Sequence, residues 1–113
     1  MINGFEHYTF ELNHYEMKLL EIIIPKLILN VGKKNAVKNK DIIRKLKLMG
    51  FEKITPARIR KIISHIRVNK LIKNLIATSK GYYRAETQKE VDSFKKSLRQ
   101  RANIILAVEK SFN

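Results

Sequence analysis

The stretch from residue 55 to residue 69, TPARIRKIISHIRVN, constrains the fold more than any other part of the chain. Thr55 can cap a helix, and Pro56 suits the first helical position because it has no backbone N–H to leave unsatisfied. The isoleucines that follow recur at i, i+3, i+4 and i+7, which places them on one stripe of a helix. They are Ile59, Ile62, Ile63 and Ile66. The stretch therefore predicts an amphipathic helix whose isoleucine stripe is buried in a core.

The opposite face of this predicted helix combines small side chains with basic ones. The sequence contains no Asp or Glu between Lys53 and Ala85. Small residues between cations allow a helix to approach a surface closely, as insertion into the major groove of DNA requires. The pattern thus favours reading of duplex DNA over a plain solvated face. The residues that we expect to contact base edges are Ala57, Arg60, Lys61, Ser64 and His65.

The positive charge of the chain is concentrated in its middle third. The net charge is +14, and residues 33–80 alone carry fifteen Lys and Arg against two acids. Residues 1–32 are net −2 and residues 81–113 are net +3. Such a directed field predicts an anionic polymer as partner. The residues that we expect to contact the DNA backbone are Lys33, Lys34, Lys38, Lys40, Arg58, Arg67, Ser79 and Lys80.

Length and composition bound the class of protein. A chain of 113 residues is one domain by length. The absence of cysteine excludes disulfides, thiolate metal sites and cysteine nucleophiles. The longest apolar run, residues 22–29, is too short for a membrane span, and residues 1–15 do not resemble a signal peptide. We expect a cytoplasmic protein that does not bind membranes.

The sequence shows no cluster of residues suited to catalysis. The three histidines, His7, His14 and His65, include no pair at the i, i+4 spacing of a helical metal site. The acids are dispersed, and the four glycines stand alone, so there is no loop that could cradle phosphate. We therefore expect no enzymatic activity, no cofactor and no metal.

Local signals organise the residues before the central helix. Residues 1–13 alternate in polarity and predict a short strand or an extended arm. Residues 14–31 form an apolar helix with a capping box at its start, ended by Gly32, in which Pro25 predicts a kink or a break. A second helix is expected over residues 40–49, capped by Asn39 and ended by Gly50. Residues 51–54 are then either a turn or a short strand.

Two further elements follow the central helix. Residues 75–85 contain two short runs joined by a turn that includes Gly81, and this pattern predicts a β-hairpin. Thr87 and Glu90 form a capping box that opens a long helix over residues 88–110. The fold class expected is mainly α with a small β-hairpin.

This order of elements resembles the winged helix-turn-helix family of DNA-binding domains. The resemblance covers residues 14–86 and depends on the helix pair 40–49 and 55–69 and on the hairpin, not on an invariant motif. It implies that the helix 55–69 is the recognition helix and that Ser79, Lys80 and Gly81 form the tip of the wing. It also implies a small regulator of transcription or a replication accessory protein of a phage-like or mobile-element type.

Residues 87–113 form an addition to the winged core, and their apolar positions recur every seven residues. Arg101 stands at an expected apolar position and interrupts the pattern. The stripe either packs back on its own domain or closes on a second copy, and we expect a homodimer with paired half-sites on DNA. The residues assigned to the dimer interface are Val91, Phe94, Leu98, Ile105 and Phe112.

Two other functions remain open at this point. The basic face could dock an acidic protein partner, although only Val68 would offer an exposed apolar anchor there. Binding of structured or single-stranded RNA would need an aromatic platform, for which only Tyr82 and Tyr83 are available. We rank both below duplex DNA.

Overall fold

The computed structural model describes residues 11–112 and shows a mainly helical chain with one small antiparallel hairpin. The predicted fold class is confirmed at this level. Most of the predicted N-terminal arm lies outside the described residues. The elements are the helices α1 (His14–Ile28), α2 (Asn39–Leu48), α3 (Pro56–Val68) and α4 (Gln88–Lys110), the strands β1 (Leu75–Thr78) and β2 (Gly81–Arg84), and one 3-10 turn (Lys33–Asn35).

Three of the helices begin with the caps that the sequence predicts. Asn13 and Glu16 form a complete capping box at α1, and Thr87 and Glu90 form another at α4. The hydroxyl of Thr55 accepts a hydrogen bond of 3.1 Å from the backbone N–H of Arg58, which begins α3. These caps satisfy N–H groups that the first turn of a helix leaves without intrahelical partners.

Helix α1 differs from the prediction at its C-terminal end. It runs through Pro25 as one continuous α-helix, so of the expected kink or break the break is absent. It ends at Ile28, so the expected end at Gly32 is wrong. The next backbone groups pair with β2 instead of continuing the helix. Arg84 donates its N–H to the Asn30 carbonyl at 2.7 Å, and Gly32 donates to the Arg84 carbonyl at 2.9 Å. This pairing requires extended backbone and stops the helix.

Helix α2 also begins differently from the prediction. Its N-cap residue is Lys38, without a side-chain cap, and Asn39 is the first helical residue. The Asn39 side chain accepts a hydrogen bond of 2.6 Å from the hydroxyl of Tyr82. The expectation that Asn39 caps this helix is therefore wrong, because a residue 43 positions later in the sequence uses the same oxygen. The segment 51–54 is irregular and contains no strand.

The core lies where α1, α2 and α3 meet the hairpin. All four isoleucines of the α3 stripe are buried, as predicted. Helix α1 contributes the buried side chains Leu19, Leu20, Ile23 and Leu27. The other buried side chains of this cluster are Ile42, Leu46, Ile54, Ile72, Leu75 and Tyr82.

The hairpin is fixed to the segment that precedes α2. The strands pair from Leu75 with Arg84 to Thr78 with Gly81. On the other edge of β2, Tyr82 and Val37 exchange two backbone hydrogen bonds of 2.8 and 2.9 Å. A Cβ atom on Gly81 would lie only 2.5 Å from the carbonyl oxygen of Val37, and the φ angle of Gly81 is +121°. Only glycine therefore fits at the start of β2.

Candidate nucleic-acid interface

The outward face of α3 has two flanks with different surroundings. Because the isoleucine stripe is buried, the remaining side chains of α3 point outward or to either side of the stripe. Arg58 and Lys61 lie toward the start of α1, and both are half-buried. Arg60 and Arg67, which are seven residues apart, lie on the opposite flank beside the hairpin. The predicted contact residues thus divide into two groups.

The first flank of α3 is bound to Glu16. The Glu16 side chain is buried, and its Oε1 atom accepts a hydrogen bond of 2.9 Å from Lys61 Nζ. Its Oε2 atom lies 3.5 Å from Arg58 Nε. The Arg58 guanidinium also lies over the ring of Tyr15, 5.1 Å from the ring centroid. One buried carboxylate therefore pairs with two of the cations that the sequence assigned to DNA.

The pKa of Glu16 shows that its environment favours the charged form. Burial raises the pKa of this carboxyl, but the backbone hydrogen bond from Asn13, the hydrogen bond and charge of Lys61, and the charge of Arg58 together outweigh burial. The pKa is therefore below its usual value of 4.5. A buried carboxylate with these partners is stable because each of its oxygens is paired.

The second flank of α3 lies next to β2 and the start of α2. Burial raises the pKa of Tyr82, while its hydrogen bond to Asn39 and the positive charges of Arg60 and Arg67 oppose this rise. The charges of both arginines thus act on the Tyr82 hydroxyl, which donates a hydrogen bond to the first residue of α2. No carboxylate within residues 11–112 forms an ion pair with either arginine. This flank carries uncompensated positive charge.

A shallow cavity of about 240 Å³ lies between the start of α2 and the turn of the hairpin. Lys38 and Lys40 line it from the helix, and Ser79 lines it from the turn. The first turn of α2 has no side-chain cap, and the N-terminus of a helix is a favourable place for a phosphate group. The structure thus brings together three of the residues that the sequence assigned to the DNA backbone.

A second cavity, of about 470 Å³, lies on the other side of the hairpin turn and reaches the start of α4. Lys33, Ser79 and Lys80 line it. Lys34 is exposed on the 3-10 turn beside Lys33. The hairpin turn therefore has basic side chains on both of its sides.

The remaining predicted base contacts are distributed along α3. Ala57 and Arg60 are exposed, whereas Ser64 and His65 are half-buried. Asn69 contacts His65 through its side-chain amide, which lies 3.3 Å from Nδ1 of the imidazole. Ala57, Arg60 and Ser64 fall within about two turns and form one row on α3, of which Ala57 and Arg60 are the exposed members.

Helix α4 contributes residues that the sequence placed elsewhere. Phe94, which was assigned to a dimer interface, lies under the Arg67 guanidinium, 5.5 Å from ring centroid to Cζ. Burial and the charge of Arg101 lower the pKa of Arg67. Periodicity could not identify this arrangement, because it depends on where α4 leaves the hairpin. Helix α4 therefore meets the second flank of α3 at Arg67.

Neither tyrosine of β2 presents a free ring face. Tyr82 is 8% exposed and Tyr83 is 5% exposed. Tyr82 belongs to the core cluster, and Tyr83 lines the cavity between the hairpin and the start of α4. A platform of exposed aromatics for stacking bases is thus absent from β2.

Comparisons of this chain with models of protein families, with curated proteins and with solved structures each gave no match. No helix between residues 11 and 112 is long and apolar enough to cross a membrane. In the same part of the chain, no group of three or more His, Cys, Asp or Glu side chains could hold a metal ion.

Proposed function

We propose that this protein binds double-stranded DNA through the exposed row of α3, the start of α2 and the turn of the hairpin. The observation that carries the proposal is the convergence of cations from separate elements on one side of the molecule. Arg60 and Arg67 from α3 lie near the Tyr82–Asn39 hydrogen bond, and Lys38 and Lys40 line the adjacent cavity. The helix and the hairpin then act as a recognition helix and a wing, in a regulator of transcription or a replication accessory protein.

The proposal assigns different roles to the two flanks of α3. Ala57, Arg60 and Ser64 read base edges, because they form one row on α3 whose first two members are exposed. Arg58 and Lys61 hold α3 against α1 through Glu16, so we transfer them from DNA contact to support of the recognition helix. The residues assigned to phosphate groups are Arg67, Lys38, Lys40, Ser79 and Lys80, with Lys33 and Lys34 at the margin.

Binding of a fluorescent mixed-sequence duplex tests the proposal directly. Neutralising six to ten phosphates should make log K fall with log salt with a slope of about −5 to −9. Fluorescence anisotropy at several salt concentrations measures this slope. Absence of binding at low salt would refute the proposal.

Variants of single cations then locate the interface. Arg60→Ala should weaken binding by about 1–3 kcal/mol and relax the preference at one base position. Lys80→Ala should weaken binding to all sequences alike and reduce the salt slope by about one. Lys47→Ala, which removes one charge from the far end of α2, is the matched control and should have little effect. Equal losses in all three variants would mean that the binding is diffuse.

Competition separates duplex DNA from an acidic protein partner and from RNA. A duplex should displace the labelled duplex more effectively than single-stranded DNA, a single-stranded RNA or a poly-glutamate peptide of equal charge, because only the duplex presents a major groove to α3. Equal competition by the peptide would favour an acidic protein as partner. Stronger competition by the RNA would favour RNA.

A further inference from the structure

The second half of α4 carries apolar side chains that its own domain does not cover. No residue of this helix is buried within the described chain. Beyond Arg101, Ile104 is 63% exposed, Ile105 67% and Val108 53%, and Phe112 after the helix is 77% exposed. The exposed stripe is continuous with Leu98, which is itself 38% exposed. Contiguous exposed apolar surface of this kind marks an interaction site.

Arg101, which lies within the stripe, and Glu109, which lies at its edge, distinguish two ways of pairing this segment with itself. In a parallel pair in register, Arg101 would face Arg101 of the other copy inside the stripe. In an antiparallel pair centred on Ile105, Arg101 of each copy lies level with Glu109 of the other, and Leu98 lies level with Phe112. Antiparallel pairing thus avoids the contact between the two Arg101 side chains and offers each of them an opposite charge. Such charges set the orientation of paired helices.

The surroundings of Arg101 and Glu109 in one copy support this arrangement. Neither residue has an ion-pair partner within residues 11–112. The charge of Arg101 also acts on Arg67, whose pKa is lowered by burial and by this like charge. Glu109 of a second copy would therefore offset the repulsion between Arg101 and Arg67, which no carboxylate within residues 11–112 offsets through an ion pair.

We propose that a second copy of this chain covers the apolar half of α4 in an antiparallel pair, oriented by Arg101 and Glu109. Centring the pair on Ile105 keeps the contact to residues 98–112, so Phe94 remains against Arg67 of its own chain. This proposal goes beyond DNA binding and does not depend on it, since the pair forms without nucleic acid.

The mass of the full chain in solution is the first test. Sedimentation equilibrium at tens of micromolar, without DNA, should give the mass of two chains. Ile105→Glu should give the mass of one chain, because it introduces two like charges at the centre of the pair. Asn103→Glu, on the opposite side of α4, is the matched control and should leave the pair intact. A monomeric wild-type chain or a larger assembly would overturn the proposal.

Charge exchange tests the orientation independently. Arg101→Glu alone and Glu109→Arg alone should each raise the dissociation constant of the pair at least severalfold, and the double variant should restore it. In a parallel pair, Arg101→Glu would replace a contact between two arginines with a contact between two glutamates. Glu109→Arg would not reverse this change, so the double variant would show no rescue. The absence of rescue would therefore overturn the antiparallel arrangement. Circular dichroism confirms that each variant keeps its helix content.

Cysteine cross-linking gives a second readout, because the natural chain contains no cysteine. A mixture of Leu98→Cys and Phe112→Cys chains should form a mixed disulfide between the two variants. Each variant alone should remain uncross-linked. Cross-linking of Leu98→Cys with itself would mean parallel pairing.

Discussion

Helices α3 and α4 carry similar apolar stripes but have opposite surroundings. The isoleucines of α3 are at most 2% exposed, whereas no residue of α4 is buried in the described chain. Both stripes follow from the same periodic placement of apolar residues. The difference shows that periodicity identifies the apolar face of a helix but not whether the rest of the domain covers that face.

The two helices also differ in how they use their cations. On α3, the cations of one flank are paired with Glu16, and those of the other flank have no carboxylate partner within residues 11–112. On α4, Arg101 forms no ion pair in the same part of the chain, and its charge acts on Arg67. Cations that the fold pairs internally support the domain, and those left unpaired are available to a polyanion or to a second copy. The predictions below test this distinction.

The largest expected difference concerns the two apolar stripes. Ile62→Ala should lower the free energy of unfolding by about 2–5 kcal/mol, because it leaves a cavity at a fully buried position. Ile105→Ala should change it by less than about 0.5 kcal/mol when measured at concentrations too low for association. Urea denaturation of both variants measures the contrast. Equal losses would mean that α4 packs on its own domain.

A smaller effect is expected from the carboxylate that supports α3. Glu16→Gln should destabilise the fold by about 1–3 kcal/mol, since it leaves Lys61 and Arg58 without their counter-charge. We expect a loss in the lower part of this range, because the side chains of Lys61 and Arg58 remain 32% and 29% exposed and solvent screens their charges. Glutamine can still complete the capping box with Asn13, so the change isolates the charge. Glu21→Gln, on an exposed position of the same helix, should have almost no effect.

The same carboxylate should make stability depend on pH. Because the pKa of Glu16 is lowered in the folded state, its contribution is fully present above the usual value of 4.5 and is lost as the pH falls through the lower folded value. Thermal unfolding of the wild-type chain and of Glu16→Gln across the acid range isolates this contribution as a difference. The two curves should converge at low pH, and a constant gap would contradict the role of the charge.

The smallest expected effect concerns the contact between the hairpin and α2. Tyr82→Phe removes the hydroxyl that donates to Asn39, and it should cost about 0.5–1.5 kcal/mol of stability. Asn39→Ala should cost a similar amount. If the two residues act through this bond, the double variant should cost clearly less than the sum of the single variants. Additive losses would show that the hydrogen bond contributes nothing by itself.

Features of the fold that depend on neighbours in the sequence could be predicted from it. The caps at Thr55 and Thr87 fixed the starts of α3 and α4, and the end of α4 at Lys110 agrees as well. Features that depend on distant residues could not. The pairing of Glu16 with Lys61 joins positions 45 apart, and the capping box that marks Glu16 locally gives no sign of this second role.

Some features of the candidate site could likewise be predicted from the sequence, and others depend on distant residues and could not. Composition was sufficient to place the cations in the middle of the chain, and Lys38, Lys40 and Ser79 do lie together. Which flank of α3 stays open could not be predicted, because it depends on how α1 packs across that helix. The role of Asn39 was missed for a similar reason, since its competing partner is a tyrosine on the hairpin.

The close contact of Gly81 with Val37 fixes the distance between the hairpin turn and the start of α2. The backbone hydrogen bonds between Val37 and Tyr82 and the Tyr82–Asn39 hydrogen bond set the distance between them, so exchanging the lysines would change how strongly a charged ligand is held but not where it is held. A side chain at position 81 would do the opposite, because it would push the turn away from α2 and shift the spacing of the cations while leaving their number unchanged. The strength of the charge attraction and the spacing of the charges thus depend on different residues, and each can be altered without the other.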